Sequence, residues 1–287
     1  MENRTASRWS CWRHSGYLVG ASSTFLSTVL TFPIYKTIFR QQLHTSTIRV
    51  AVIQLKREGM KHLFRGLAPP LMAKTLQGTL LFGTQGSLQK FLLGVNIPGA
   101  MIPALSGCLS GAIEAALLVP FERMQNILQD GRNTARFPST ASVLQEFQTY
   151  KNDQKFLCGI YRGFSIILVR NALGSAIFLS CKEPIRDLLS LQGLPSWAPS
   201  LGSGSFIGAF TSLVLYPLSV LVANMQAEVG KGLPGVREVV KTVWEKCGGG
   251  RVSLLYRGAS LIIVRSCVTW GVTNSIHDTL IRQHSLK

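Results

Sequence analysis

A threefold repeat constrains this 287-residue chain more than any other feature. A proline followed nine residues later by a glutamine occurs three times, and an aromatic-Arg-Gly triplet follows each copy. The pairs are Pro33/Gln42, Pro120/Gln129 and Pro217/Gln226, and the triplets are Phe64-Arg65-Gly66, Tyr161-Arg162-Gly163 and Tyr256-Arg257-Gly258. A fixed period of this length predicts three copies of one structural unit. We place an N-terminal tail at 1–15 and the repeats at 16–97, 98–193 and 194–287.

Composition points to a membrane protein. Hydrophobic residues make up 46% of the chain and charged residues only 15%, whereas typical soluble domains are about 25% charged. A net charge of +17 raises nucleic-acid binding as an alternative, but the charges lie between long apolar stretches and form no basic domain. No CxxC or HExxH pair occurs, so the sequence predicts no metal site and no cofactor.

Six apolar segments predict the fold. They lie at 16–39, 67–93, 100–128, 164–189, 200–225 and 259–281, and each approaches the ~20 residues that cross a bilayer as a helix. We therefore predict an all-α membrane protein with six transmembrane helices in three pseudo-symmetric repeats. Each repeat would hold an odd-numbered helix kinked at its proline, a short surface helix and an even-numbered helix.

The long loops inside the repeats are basic. Residues 40–65, 129–162 and 226–257 together hold 17 Lys and Arg, whereas the linkers 90–99 and 182–199 hold three. This asymmetry places all three loops on the side of the membrane that retains positive charge. Three amphipathic faces predict the surface helices, and they are Ile48/Val52/Leu55, Val143/Phe147/Tyr150 and Val236/Val240/Val243.

Glycines four residues apart predict close helix packing in the odd-numbered helices. The pairs are Gly16/Gly20, Gly107/Gly111 and Gly204/Gly208. Because the three prolines occupy equivalent positions, we expect the odd-numbered helices to converge towards the loops and close a funnel there.

The repeated pattern resembles that of the mitochondrial carrier family, solute carrier family 25. Its motif runs Pro-x-acid-x-x-base-x-base-x-Gln and is followed by acid-Gly-x4-aromatic-base-Gly. Repeat one keeps Pro33, Arg40, Gln42 and the whole second part, Glu58 to Gly66. Repeat two keeps Pro120, Glu122 and Gln129, and repeat three keeps Pro217 and Gln226. The segments PIYKTIFRQQL and PFERMQNILQD look like the branch that includes the mitochondrial NAD carriers.

The chain departs from the family at both gates. In the family, the motif acid of one repeat pairs with the base of the next, which closes the matrix side. The acid positions here are Tyr35, Glu122 and Ser219, and the base positions are Ile38, Gln125 and Val222. In the family, a second gate on the even-numbered helices has the pattern aromatic-acid-x-x-base. None of the three copies is complete here, and the corresponding residues are Gln85, Gly86 and Gln89, then Cys181, Lys182 and Ile185, and then His277, Asp278 and Ile281. We expect apolar contacts and the three motif glutamines to close the matrix side instead.

Counting from each triplet glycine locates a candidate substrate site. Seven and eight residues later come Ala73-Lys74, Arg170-Asn171 and Arg265-Ser266. Two helical turns, about 10 Å, bring the three bases to a similar depth, and ionisable groups at that depth usually face a pathway. Snorkelling of the bases to the interface is the alternative. The resemblance implies that these positions contact substrate.

Glu114 lies six residues before Pro120 and is the other candidate for substrate binding. Its alternative role is to neutralise Lys74 or Arg170. With Lys74, Arg170, Asn171 and Arg265, it gives a site of charge about +2, which favours an anion held by phosphate or carboxylate groups. The aromatic residues Phe82, Phe178 and Trp270 are candidates for stacking on a base, although packing is the commoner role.

Two functions compete. The first is a solute carrier of the mitochondrial inner membrane that moves a nucleotide-like or carboxylated anion by alternating access, without enzymatic activity. The second is a carrier-fold protein that no longer transports and binds a ligand or partner, because the gate charges are missing. The resemblance implies a monomer with both termini in the intermembrane space and cardiolipin at the short matrix helices.

Overall fold

The computed structural model describes residues 25–59, 63–95, 97–150, 159–191, 198–230, 234–249 and 251–269, with backbone only at 75–87 and Ser200. We describe its helices in the order of the three predicted repeats. Repeat one contains α1 (25–44), α2 (Ile48–Glu58) and α3 (Ala68–Leu93). Repeat two contains α4 (Ile102–Gln129), α5 (Thr140–Gln148) and α6 (Phe164–Ser190). Repeat three contains α7 (Ala198–Val214), α8 (Tyr216–Ala227), α9 (Val236–Lys246), α10 (Val252–Leu255) and α11 (259–269).

Three of the described helices are long and apolar enough to cross a membrane, or four if the bent pair α7 and α8 forms one span. They are Gly99–Gln129, Phe164–Ser190, Val252–Thr269 and the pair Leu201–Val214 with Tyr216–Ala227. The predicted spans 16–39 and 259–281 lie partly outside the described residues. Helix α3 has 26 residues. It is not among the helices apolar enough to cross a membrane by composition alone, because it contains Lys74 and three glutamines.

The three motif prolines do not act alike. Helices α1 and α4 continue through Pro33 and Pro120. In repeat three the helix instead breaks at Leu215, and α7 and α8 meet at 63°. Pro217 therefore lies in the first turn of α8, where its missing N–H removes no helical hydrogen bond. The third repeat therefore has the bent odd-numbered helix that the sequence predicts, but its bend lies at Leu215 and Pro217 begins the next helix instead of interrupting one.

The surface helices bury a different face from the predicted one in two repeats. Helix α5 buries Val143 and Phe147 as expected. Helix α2 buries Ala51 and Leu55 and leaves its predicted residues Ile48 and Val52 exposed. Likewise, α9 buries Val239 and Val243 and exposes Val236, Val240 and Trp244. Such helices have a protein-facing side and an apolar side directed outward, as expected for helices that lie on a membrane surface.

Close packing of α4 against α6 positions the candidate site. A Cβ at Gly107 would lie 2.6 Å from the carbonyl oxygen of Ser175, and one at Gly111 would lie 2.4 Å from that of Asn171. Any side chain at these positions would push the two helices apart. This glycine pair therefore fixes the distance between α4 and the stretch of α6 that carries Arg170 and Asn171.

The triplet glycines lie just before the last long helix of each repeat, which is α3, α6 or α11. Gly66, Gly163 and Gly258 have φ values of +84°, +77° and +98°, a region that favours glycine because it has no Cβ. A Cβ at Gly258 would also lie 2.7 Å from the Tyr216 hydroxyl oxygen. The glycine of each triplet is thus required by the backbone.

Candidate functional site

One central cavity, of about 560 Å³, collects every residue that the sequence predicts to bind substrate. Lys74 of α3, Arg170 and Asn171 of α6 and Arg265 of α11 all line it, as does Glu114 of α4. The three bases therefore face the interior of the bundle, which is the arrangement expected of a pathway and differs from snorkelling to lipid headgroups. Their role in binding stays a prediction, because the geometry alone assigns no substrate.

A bidentate ion pair lies in the wall of this cavity. Nη1 and Nη2 of Arg170 each lie 2.8 Å from one carboxylate oxygen of Glu122. Nε and Nη2 of Arg170 also donate to Oδ1 of Asn171, at 3.1 and 3.0 Å. Paired N–H donors of this kind give the strongest protein ion pairs. Glu122, which the sequence assigns to the matrix gate, is therefore the partner of a candidate substrate residue.

The second acid, Glu114, interacts electrostatically with both Lys74 and Arg170. Since Arg170 already has Glu122 as its hydrogen-bonded partner, the neutralisation of Arg170 does not depend on Glu114. The sequence-based charge of about +2 left Glu122 out. Among the described residues, three bases and two acids line the cavity, so its formal charge is +1.

Arg265 has an aromatic neighbour. Its guanidinium carbon lies 5.2 Å from the ring centroid of Tyr35, a cation–π geometry. Its Nε is buried and has no hydrogen-bond partner among the described residues. The Arg265 guanidinium therefore has no ion-pair partner among the described residues apart from this ring contact.

Five of the six matrix-gate positions hold neutral side chains where the family has ion pairs, and the exception is Glu122. Tyr35 of repeat one interacts with the side chain of Gln125 of repeat two. Ile38 and Val222 are buried in the apolar core at 3% and 1% exposure. The absence of charge at these positions is thus accommodated by apolar packing and by one polar contact, which involves Gln125 and not a motif glutamine.

A set of side-chain hydrogen bonds closes the loop end of the bundle, and we call it the loop-face belt. It consists of eight residues whose side chains bind across the repeat boundaries at the C-terminal ends of α1, α4 and α8. They are Arg40, Arg65, Arg123, Asn126, Arg162, Asn224, Gln226 and Arg257.

Between repeats one and two, two arginines bind backbone carbonyls near the end of α4. Nε of Arg40 donates to the carbonyl of Gln129 at 3.0 Å, and Nη2 of Arg65 donates to that of Asn133 at 3.0 Å. Arg40 also forms an ion pair with Glu58 of α2 at 2.7 Å. Burial lowers the pKa of the Arg65 guanidinium, which lies in the loop between α2 and α3.

Between repeats two and three, Arg123 is fully buried and donates to the carbonyls of Gln226 and Glu228. Nε of Arg162 donates to the carbonyl of Met225 at 2.7 Å. The Gln226 amide completes this boundary, because it accepts from Asn126 at 2.6 Å and donates to the Arg162 carbonyl at 3.1 Å.

Between repeats three and one, Nδ2 of Asn224 donates to the carbonyl of Gln42 at 3.1 Å. The Arg257 side chain donates to the carbonyl of Thr45. The Tyr216 hydroxyl donates to the backbone carbonyl of Arg257. All three triplet arginines therefore bind backbone carbonyls of the following repeat. The last carbonyls of a helix lack partners and carry partial negative charge, so arginine satisfies them without an acid.

The motif glutamines differ from one another. Gln226 makes two side-chain hydrogen bonds, whereas both side-chain polar atoms of Gln129 are buried without a partner among the described residues. Gln42 lines the cavity and interacts with the Tyr216 hydroxyl. The expectation that the glutamines help to close this side therefore applies to Gln226 most directly.

The second family gate, in the last long helix of each repeat, is described only in part. Lys182 lies over the ring of Phe178, with its Nζ 5.6 Å from the centroid, so Phe178 packs on this lysine and does not line the cavity. The side chains of Phe82, Gln85 and Trp270 and the positions 277–281 lie outside the described residues.

Sequence reasoning missed Arg123, Asn126 and Asn224. Each is a polar residue three to seven places after a motif proline, inside an apolar helix. That placement was the available signal, because a buried polar group requires a hydrogen-bond partner. The backbone carbonyls that serve as partners leave no mark in a sequence.

Comparison with protein families matches residues 13–96, 99–193 and 194–284 to "Mitochondrial carrier protein". The chain belongs to the mitochondrial carrier family. The three matched segments show the threefold repeat of this carrier, and with the described helices they confirm the predicted all-α fold.

Individual relatives support the same assignment. The carrier is 52% identical over 278 residues to "Solute carrier family 25 member 53" of Homo sapiens, covering 96% of this chain and 90% of that protein. It is 31% identical to the "Mitochondrial nicotinamide adenine dinucleotide transporter SLC25A51" of Mus musculus, covering 93% and 88%. Identity to the "Mitochondrial carnitine/acylcarnitine carrier protein" of Rattus norvegicus is 27%, covering 78% and 75%.

The family assignment fixes the general function. The protein is a multi-pass solute carrier of the mitochondrial inner membrane and is a transporter, not an enzyme. Within the described residues, no group of three His, Cys, Asp or Glu side chains is placed to hold a metal ion.

Proposed function

We propose that this carrier moves a small anionic metabolite through the central cavity by alternating access. The observation that supports this proposal is the convergence of Lys74, Arg170 and Arg265 on one cavity directly above the loop-face belt. The cavity volume of about 560 Å³ falls within the ~300–1,000 Å³ range of small-molecule sites. Arginine forks and a lysine point charge are the groups that hold phosphates and carboxylates.

NAD is the first substrate to test, and carboxylates and amino acids come next. The similarity to a nicotinamide adenine dinucleotide transporter supports NAD. So does the site, because phosphates can bind the bases while a polar or cationic group binds near Glu114. Asn171 and Ser266 add neutral hydrogen-bonding groups at the same level of the cavity.

The charge of the loops supports one orientation in the membrane. With 17 basic residues in the intra-repeat loops, the proposed orientation has the loop-face belt on the matrix side and both termini in the intermembrane space. During transport the belt would have to open, and its hydrogen bonds to helix ends would re-form as the site closes again. The carrier would act as a monomer, with cardiolipin bound at the short matrix helices α2, α5 and α9.

The test is uptake into liposomes that contain the purified carrier, with NAD, nucleotides, dicarboxylates and amino acids offered in turn. Saturable counter-exchange of one class is the expected result. Binding of that class without flux would contradict transport and support the second function, a carrier-fold protein that binds a ligand without moving it. The degenerate gate positions Ile38, Gln125 and Val222 are the observation that favours this second function.

A further inference from the structure

The ion pair between Arg170 and Glu122 engages every nitrogen of the guanidinium group. Nη1 and Nη2 each bind a Glu122 oxygen, and Nε and Nη2 bind Asn171 Oδ1. The side chains of both partners are largely buried, at 19% and 20% exposure. An incoming anion can therefore take over the Nη1/Nη2 edge of Arg170 only by displacing Glu122, which would leave a carboxylate unpaired in a partly desolvated site. The Nε/Nη2 edge is held by the neutral Asn171, so an anion that binds there still meets the nearby charge of Glu122.

Apart from the pair of Arg170 and Glu122, the charged residues that line the cavity are two bases and one acid. Lys74 and Arg265 face Glu114 within the same cavity, and Arg265 retains a buried Nε without a partner among the described residues. With Arg170 neutralised, the lining has a formal charge of +1. A solute of charge near −1 leaves this site neutral, whereas each additional negative charge is left uncompensated where solvent screening is weak.

We infer that Glu122 is a selectivity residue that makes the carrier prefer solutes of net charge near −1, which carry a cationic group beside their anionic groups, over more highly charged anions. This inference rests on the proposed function. Oxidised NAD has two phosphates and a positive nicotinamide ring, so its net charge is about −1. The reduced form has nearly the same shape and lacks the ring charge. The two forms are therefore a matched pair of ligands that differ by one charge.

The experiment compares uptake of oxidised and reduced NAD into liposomes by the wild-type carrier and by Glu122→Gln. The wild type is expected to prefer the oxidised form. Glu122→Gln raises the formal charge of the cavity to +2 and is expected to shift the uptake ratio towards the reduced form by about tenfold, the size of one partly screened charge interaction.

Two further variants separate charge from the geometry of the pair. Arg170→Gln lowers the cavity charge to zero and is expected to shift the ratio in the opposite direction. The double variant Glu122→Gln/Arg170→Gln restores +1 without the ion pair, so the preference for the oxidised form should return. Glu183→Gln is the matched control, because Glu183 lies on the same helix as Arg170, pairs with Arg186 and does not line the cavity.

Failure of the inference and failure of the proposed function give different results. If the wild type takes up NAD but the ratio stays within twofold in both Glu122→Gln and Arg170→Gln, Glu122 does not set charge selectivity. If the wild type takes up neither form, NAD is the wrong substrate, and the same variants are compared on glutamate and 2-oxoglutarate, which also differ by one charge. Uptake of none of the four solutes by well-folded wild-type protein would overturn this inference, and absence of flux for the whole panel of anions would overturn the proposed function as well.

Discussion

Buried and half-buried arginines serve two different purposes in the two halves of this carrier. In the loop-face belt, Arg40, Arg123, Arg162 and Arg257 bind backbone carbonyls of the neighbouring repeat. In the cavity, Arg170 binds the side chain of Glu122, and Arg265 lies over the ring of Tyr35. Carbonyls at a helix end are fixed partners, whereas a side-chain partner can be exchanged for a substrate. The comparison predicts that changes in the belt alter stability and that changes in the cavity alter transport.

The largest expected effect is on transport. Lys74→Ala removes one of the three cavity bases and should lower uptake by about 100-fold, which corresponds to ~2.7 kcal/mol at 1.36 kcal/mol per tenfold. The melting temperature should change little, because Lys74 is exposed to the cavity. Uptake is measured in liposomes and normalised to folded protein. Lys90→Ala, an exposed lysine of the same helix, is the control, and equal loss in both variants would contradict the site.

The second effect is on stability. Arg123→Met leaves the carbonyls of Gly159, Gln226 and Glu228 without this donor at a fully buried position. Loss of the buried hydrogen bonds to this charged group is expected to cost about 2 kcal/mol. Thermal unfolding in mild detergent should therefore show a melting temperature lower by roughly 5 °C or more. An unchanged melting temperature would show that the belt does not hold the loop end together.

The third prediction compares equivalent glutamines. Gln226→Leu loses the bonds to Asn126 and to the Arg162 carbonyl and should destabilise the carrier by about 1–3 kcal/mol. Gln129→Leu removes a buried amide that has no partner among the described residues, so it should be neutral or slightly stabilising. Parallel thermal unfolding of the two variants checks this difference. Equal destabilisation of both would mean that the motif glutamines act alike.

The smallest effect is expected at Glu58. Glu58→Gln breaks the ion pair with Arg40, but Arg40 keeps its bond to the carbonyl of Gln129. Because the Glu58 side chain is partly exposed, the expected loss is ~1 kcal/mol or less. The control is Glu245→Gln, whose exposed partner Lys241 lies 3.9 Å away. A loss as large as that of Arg123→Met would show that this ion pair, rather than the carbonyl contacts, closes the first boundary.

The sequence predicted the repeat, the family and the level of the cavity, because all three depend on fixed spacings. Counting from Gly66, Gly163 and Gly258 found the three bases that line the cavity in the described part of the chain. It did not find the pairing of Glu122 with Arg170, which are 48 residues apart and meet only when α4 packs on α6. The motif acid was instead expected at the gate, where the family uses it.

Other features were beyond sequence reasoning for physical reasons. The belt depends on backbone carbonyls, which every residue carries, so no residue pattern marks the acceptors. The three prolines look equivalent, yet only in the third repeat does the described helix break, one residue before Tyr216. For α2 and α9 the strongest apolar stripe is not the buried face, because a helix on a membrane surface has apolar residues on two sides.

A thermal-shift screen of the purified carrier and of Arg265→Gln tests the central claim most directly. The panel contains NAD, nucleotides, coenzyme A, di- and tricarboxylates and amino acids, since a ligand that binds only the folded state raises the melting temperature. We predict that one class of anion stabilises the wild type and that Arg265→Gln loses this shift. A shift of the same size in Arg265→Gln, or no shift with any class in well-folded wild-type protein, would contradict the assignment of the cavity as an anion site.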